Sequence, residues 1–209
     1  MAVATVGMGL FVDLGIPEYP SKQTGGFLVW GASSAVGSTA VQLAKVLGFT
    51  VFAVCSVRHH DYVRHLGASS CVDYHDPSVA DMIIDAAKSS GHNINIGYDA
   101  ISENGSSPLA ARILDAFGGG KLCTTLPYPN DQEKPASVQT FHTFALRLVQ
   151  DQKELGSWLF GTFLSNLLSE GAFTPSPAIQ RVDGGLEAVQ AALDLLKEGI
   201  SGKKLVLSL

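Results

Sequence analysis

Charge is sparse in this 209-residue sequence: 16% of residues are Asp, Glu, Lys or Arg, against 46% hydrophobic. A disordered chain reverses that balance, so the bulk of this one folds. Basic residues are few and scattered and the formal charge is −5, which leaves no footprint for a phosphate backbone and excludes nucleic acid as an expected partner. Cysteine is limited to Cys55, Cys71 and Cys123, an odd number at wide spacing in strand-like apolar runs. That pattern excludes a disulfide framework and points to buried thiols in a reducing compartment. The cysteines and histidines form no Cys-x-x-Cys pair and no His-x-x-x-His face, so no metal is expected. Long hydrophobic runs are missing too. Met1 to Val12 is apolar, but it has no basic residue before it and is too short to span a bilayer, so a cytosolic protein without membrane contact is expected.

What is present is an alternation of two periodicities. Phe27 to Trp30 is an uninterrupted apolar run, as in a strand covered on both faces. Val36, Ala40, Leu43, Ala44 and Leu47 then recur at helical spacing until Gly48. Thr50 to Cys55 reads as a second strand, Asp61 to Leu66 as a short helix and Cys71 to Tyr74 as a third strand. A helix carrying Val79, Met82, Ile83 and Ala86 follows, then a fourth strand over Ile94 to Asp99. Pro108 opens a helix over Leu109 to Phe117, and Gly118 to Gly120 turns the chain into a fifth strand, Lys121 to Leu126. Strands interleaved with helices predict an α/β fold with a doubly wound parallel sheet. Pro127 to Pro135 reads as a surface loop. Phe141 to Gln150 and Trp158 to Ser169 read as helices closed by Gly171 and Pro175. The tail differs in kind, with strands at Ala178 to Val182 and Lys204 to Leu209 around an amphipathic stretch, Gly185 to Glu198. The expected organisation is an N-terminal linker helix over 1–24, a nucleotide-binding domain over 25–175 and a distinct C-terminal segment over 176–209.

The chemistry concentrates at the first strand-to-helix turn, Gly31-Ala32-Ser33-Ser34-Ala35-Val36-Gly37. Small residues there let the backbone approach a pyrophosphate, which is held by unpaired amides and the positive end of the helix dipole. Ala32, Ser34 and Gly37 occupy the three positions of the dinucleotide fingerprint, and only the last is glycine. The alternative, an esterase nucleophile elbow centred on Ser33, lacks the strands that should precede it. A catalytic Tyr-x-x-x-Lys pair is absent, since none of the five tyrosines has Lys four residues later. The second strand ends in Cys55-Ser56 where an NAD-binding domain usually carries Asp or Glu. Without that carboxylate a 2′-phosphate can lie against Ser56, with Arg58 and His59 supplying donors, so NADP(H) is the expected cofactor. The competing reading of Arg58, His59 and His60 is an exposed, solvated loop.

The turn, Ser56 to His59, Leu66-Gly67-Ala68, Val72-Asp73-Tyr74 and the ending Gly199 to Val206 together resemble the zinc-independent medium-chain dehydrogenases/reductases. Within that superfamily the chain is most similar to trans-acting enoyl reductases of polyketide pathways, with quinone oxidoreductases next. The resemblance implies that Ser33, Ser34, Ala35, Val36 and Gly37 cradle the pyrophosphate, and that Ser56, Val57, Arg58, His59 and Tyr74 surround the adenosine phosphate end. It places Thr125 and Leu126 near the nicotinamide ribose and returns Ile200 and Ser201 to the cofactor. It sets Phe160, Gly161, Thr162, Phe163 and Leu164 along an acyl pocket, although an apolar stretch at that spacing also suits plain core. It further implies a Rossmann-type NADP(H)-binding domain over 25–175, an acyl-thioester substrate, a polyketide synthase partner and a GroES-like catalytic barrel that this sequence does not contain; Met1 to Ile16 resembles the helix that leaves that barrel, and 176–209 its C-terminal remnant. Two functions stay open, an NADPH-dependent enoyl reductase and a non-catalytic nucleotide-binding fragment. No side chain is assigned as catalytic acid.

Overall fold

The computed structural model describes residues 1–208. Helix α1 (Ala2–Gly7) runs on as a π-helical segment, Met8–Asp13, before the sheet begins. The next elements alternate: β1 (Gly26–Trp30), α2 (Ala35–Val46), β2 (Thr50–Val54), α3 (His60–Leu66) and β3 (Ala68–Val72). Then come α4 (Val79–Ser89), β4 (Ile94–Asp99), α5 (Ser106–Asp115), β5 (Gly120–Thr124) and β6 (Val138–His142). Helices α6 (Arg147–Gln150), α7 (Lys153–Trp158) and α8 (Leu164–Ser169) lead to a tail of β7 (Ala178–Val182), α9 (Val189–Glu198) and β8 (Lys203–Leu207).

The strands form a parallel six-stranded sheet in the order β3-β2-β1-β4-β5-β6 and a separate parallel pair, β7-β8. β1 is buried at every residue, as its unbroken apolar run requires. Two apolar layers cover the sheet. On one face α1, α2, α3 and the α7–α8 region pack through residues such as Met8, Val41, Leu43 and Leu159. On the other, α4 and α5 pack through Ile83, Ile84, Ile113 and Leu114 against Leu28, Phe52 and Leu122. Each fully buried Leu or Ile contributes roughly 2 kcal/mol of transfer free energy. Among the described residues no helix is long and apolar enough to cross a membrane.

Three contacts tie the outer pieces to this frame. Tyr98 Oη donates to the Thr5 carbonyl at 3.0 Å, and Gly9 lets the N-terminal helix lie directly on Tyr98 and Cys123, where a Cβ would meet Cys123 Sγ at 2.7 Å. Arg147 donates to Asp13 at 3.1 Å; burial still pushes the Asp13 carboxyl above the usual range, with Thr143 and Arg147 offsetting part of it. Buried Gln42 on α2 donates to the Thr174 carbonyl and accepts from the Thr174 amide at 2.7 Å, which anchors the segment leading into β7 to that helix.

The sheet differs from the sequence reading in places. The stretch from Phe141 to Gln150, expected to be helical, begins inside β6, and the helix holds only Arg147–Gln150. β6 is an edge strand paired only to β5, so two of its five residues are exposed and the Phe141, Phe144 and Leu148 spacing imitates a helix. There are therefore six strands in the sheet instead of five. The third strand is shifted, spanning Ala68–Val72 rather than Cys71 to Tyr74, because Gly67 at φ +125° ends α3 and leads directly into pairing with β2. The helix expected from Trp158 starts earlier, at Lys153, and passes through a π-helical segment, Leu159–Phe163. β8 ends at Leu207, and Leu209, the expected end of that strand, lies outside the described residues. The apolar stripe of α9 faces outward, with Leu193 and Leu196 about half exposed (53% and 51%).

Candidate functional site

The carboxyl ends of β1, β2 and β4 converge on one cavity of about 330 Å³. In doubly wound folds ligands bind at this end of the sheet, beside the strands where the order reverses. Gly31 begins the turn at φ +71°, and a Cβ there would run into the Ile101 side chain, so glycine lets the loop after β4 close over the turn. Ser34 caps α2, its Oγ accepting from the Gly37 amide at 3.0 Å. The amides of Ala35 and Val36 find no acceptor in the described chain, and they sit at the positive end of the twelve-residue α2. Gly37 is fixed by contact: a Cβ would strike the Gly31 carbonyl and come within 2.8 Å of Ala32 Cα, all backbone that cannot move aside. A diphosphate fits this turn, because two unpaired amides, small residues and the positive end of a helix dipole are gathered in it; Gly31, Ser33 and Ser34 line the cavity, and Ala35, Val36 and Gly37 follow them outside the lining.

The cavity walls come from separate parts of the chain. Ser33, Ser34 and Gly31 line one side, and Cys55 and Ser56 continue it from the end of β2. Tyr74 stands beyond β3, and Ile200, Ser201 and Gly202 reach in from the tail. Trp30, with Ile101, Glu103, Asn104 and Leu109 of the loop and helix after β4 as a back wall, completes the lining. The structure thus brings Ser33, Ser34, Ser56, Tyr74, Ile200 and Ser201 together. Val57 and Arg58 lie outside the lining on the exposed continuation of the Ser56 loop. Thr125 sits at the end of β5, where its amide donates to Ser102 Oγ at 2.9 Å, and Leu126 is exposed next to it. Phe163, by contrast, is buried in an aromatic cluster, stacked on Trp158 and edge-on to Phe11. Phe160 is nearly half exposed and borders a separate shallow groove with Leu148, Val149 and Lys153.

The Ser56–His60 loop is more structured than an exposed pair of histidines. Both rings are half-buried: His60 Nε2 lies 3.2 Å from the Cys55 carbonyl, and His59 Nε2 lies 2.7 Å from Ser201 Oγ. The loop winds into a 3₁₀ turn that brings these side chains back on the fold, which the local sequence does not reveal. Gly202, at φ +65°, fits against the His59 ring, where a Cβ would meet Cε1 at 2.6 Å. Burial first, and then the Arg58 guanidinium, hold His59 below the usual histidine range. The folded chain therefore binds this proton less readily than the unfolded one. Its contribution to stability is complete above the ordinary pKa of about 6.5 and is lost as pH falls through the lowered folded value. Between about pH 7 and about pH 5, Tm should fall more steeply in the wild type than in His59→Gln, which does not titrate; identical slopes would remove His59 from the account.

Two more groups shape the rim. Asp73 brings a carboxylate near the Ser56 loop from the neighbouring strand. It is held in the ionised form chiefly by the His75 amide, with the His75 ring at 2.8 Å and the Val57 amide adding to this. Cys71 Sγ donates to the His60 carbonyl at 3.8 Å. The neighbouring Cys71 thiol, and then burial, push Cys55 up, whereas the Cys55 thiol draws Cys71 down against the effect of burial.

The back wall was not foreseen from sequence. Asp99 ends β4 fully buried, and its carboxylate accepts from the Ile101 amide (3.0 Å), the Ser102 amide (2.9 Å), Ser106 Oγ (2.6 Å) and Ser107 Oγ (2.7 Å). These bonds hold Ser102 and Asn104 at φ +56° and +53°, a backbone that non-glycine residues adopt at a cost of about 1 kcal/mol each. Asn104-Gly105 after a strand was the available signal for such a turn.

Comparison with known proteins places this geometry. Residues 35–151 match the family described as zinc-binding dehydrogenase. The chain is 35% identical to the trans-enoyl reductase tndF of Aspergillus flavipes and 32% identical to the dehydrogenase pigH of Monascus ruber, in each case over all of this chain. It spans 59% and 63% of their lengths. Among solved structures, CurK enoyl reductase superposes with a TM-score of 0.79 at 20% identity, over 100% of this chain and 60% of that one. CurA of Vibrio vulnificus, crystallised with NADPH, gives 0.74 at 19% identity over 100% and 62%. The family description names zinc, but among the described residues no three His, Cys, Asp or Glu side chains stand close enough together to hold a metal ion.

Proposed function

Since this chain belongs to the zinc-binding dehydrogenase family, we propose that it is the NADP(H)-binding portion of a metal-independent enoyl reductase acting on an α,β-unsaturated acyl thioester or ketone. One observation carries the reading: the Ser33–Ser34 turn, which leads into the unpaired amides at the start of α2, and Ser56 line one cavity, with Arg58 two residues further along the Ser56 loop. Ala35 and Val36 hold the pyrophosphate, with Ser33 and Gly37 keeping the approach open. Ser56 and Arg58 take the 2′-phosphate, a hydroxyl and a guanidinium that both donate to it. Ile200 and Ser201, pinned by His59, close the cavity from the tail. Bound NADPH supplies the hydride that reduces the β-carbon. Thr125 and Leu126 border the nicotinamide side. Of the Phe160–Leu164 segment, the exposed Phe160, Gly161 and Thr162 face the acyl chain, while Phe163 is core. No step passes through a metal. The substrate arrives from a polyketide synthase in the cytosol, where the three free thiols stay reduced.

The test is a pair of assays. NADPH should bind at least about tenfold tighter than NADH, as a guanidinium–phosphate contact demands. Arg58→Gln should erase most of that preference while leaving NADH affinity within about twofold. NADH binding as tightly as NADPH would overturn the Ser56 and Arg58 assignment. Consumption of NADPH with crotonyl thioester supports the reductase, consumption with a quinone alone moves the substrate class, and binding without consumption confines this polypeptide to nucleotide binding.

A further inference from the structure

We propose that Glu103 reads the amino edge of the adenine ring and makes this cavity selective for adenine over other purines, an inference that rests on the dinucleotide reading above. The phosphate-binding part of the cavity is the Gly31–Ser34 turn that leads into α2, together with Ser56. The base attached to the Ser56-side ribose then packs against the rest of the lining, which holds the side chains of Tyr74, Trp30, Ile101 and Leu109 together with Glu103 and Asn104. Those first four are aromatic or aliphatic, as a purine face requires.

A carboxylate is an unexpected neighbour for a ligand carrying several negative phosphates. Glu103 accepts hydrogen bonds and cannot donate them when ionised, so it is favourable there only against a donor. On the base the only donor is the exocyclic amine of adenine. Hypoxanthine carries a carbonyl oxygen at that position, which a carboxylate repels.

The loop is also built to hold this position. Asp99 fastens the amides of Ile101 and Ser102 and the hydroxyls of Ser106 and Ser107. The Ser106 amide donates to the Glu103 carbonyl at 3.1 Å, and the residues on either side of Glu103 sit in the left-handed region, at φ +56° and +53°. A strained backbone fixed by four hydrogen bonds to one buried carboxylate positions a side chain far better than a free loop does.

The experiment compares NADPH with its hypoxanthine analogue, deamino-NADPH, by titration of the full chain. Wild type should bind NADPH on the order of tenfold tighter, the size of one charge-assisted hydrogen bond. Glu103→Gln, which can donate to the hypoxanthine oxygen, should bring the ratio to one or invert it, and Glu103→Ala should flatten it. A merely structural role for Glu103 would weaken both ligands equally and leave the ratio unchanged. Equal affinity of wild type for the two nucleotides overturns the proposal and leaves the dinucleotide reading intact. Failure of wild type to bind NADPH at all overturns that reading instead.

Discussion

Replacing Gly37 with alanine should abolish saturable NADPH binding and cost about 3 kcal/mol of folding stability, the upper range for overpacking a fixed site. The added methyl would meet the Gly31 carbonyl and the backbone of Ala32, with Gly31 C at 2.7 Å, and no rotamer relieves a backbone clash. The fold can yield only by pushing α2 away from the turn. That displaces the amides of Ala35 and Val36 from the place where a diphosphate would sit and breaks the Ser34 cap at 3.0 Å. Gly161→Ala is the matched control, since nothing lies within 4 Å of its Cβ position. Its stability and affinity should stay near wild type, read by thermal melts and NADPH titration. A Gly37→Ala protein that binds NADPH normally would show that the turn is not the phosphate site.

Asp99→Ala carries the second large effect. The carboxylate is buried among four donors, and its removal strands two amides and two hydroxyls in the interior. Removing an acceptor of this kind costs about 4 kcal/mol, which for a chain of this length lowers Tm by about 10 °C. Asp99→Asn should recover only part of the loss, because its NH₂ group faces hydroxyl donors where an oxygen stood. Ser106→Ala and Ser107→Ala should each cost about 1 kcal/mol, since each removes one hydrogen bond and leaves the rest. Because Asp99 holds the Ile101–Asn104 loop, NADPH affinity should fall further in Asp99→Ala than in either serine variant. A melting temperature within about 2 °C of wild type for Asp99→Ala would contradict this account of the loop.

The first half of the fold was plain in the sequence because its signals are local. Phe27 to Trp30 has no polar residue, α2 has a serine cap and a glycine stop, and the small residues between them have few other uses. The residues lining the front of the cavity, Ser33, Ser34 and Ser56, follow from that β-α-β pattern alone. β6 was hidden because an edge strand pairs on one side only, and its five residues follow neither a clean alternation nor a buried run. The back wall was hidden for a different reason. Asp99 reaches Ser106 and Ser107, seven and eight residues away, and no periodicity announces that a carboxylate at a strand end will fold the next loop around itself. The latch between His59 and Ser201, 142 residues apart, is likewise a tertiary fact. The aromatic segment at Phe160 to Leu164 divides between core and surface because its backbone is a π-helical turn, which rotates Phe160 away from the face that buries Phe163.

If the cavity beside Trp30 holds NADP(H), this tryptophan reports the bound nucleotide directly. Trp30 lines the cavity, whereas Trp158 belongs to the aromatic cluster on the other face. Exciting tryptophan during an NADPH titration should give saturable sensitised emission from the nicotinamide, persisting in Trp158→Phe, strongly reduced in Trp30→Phe, and displaced by NADP⁺ more readily than by NAD⁺. Emission that never saturates, or that survives loss of Trp30 unchanged, would contradict the site.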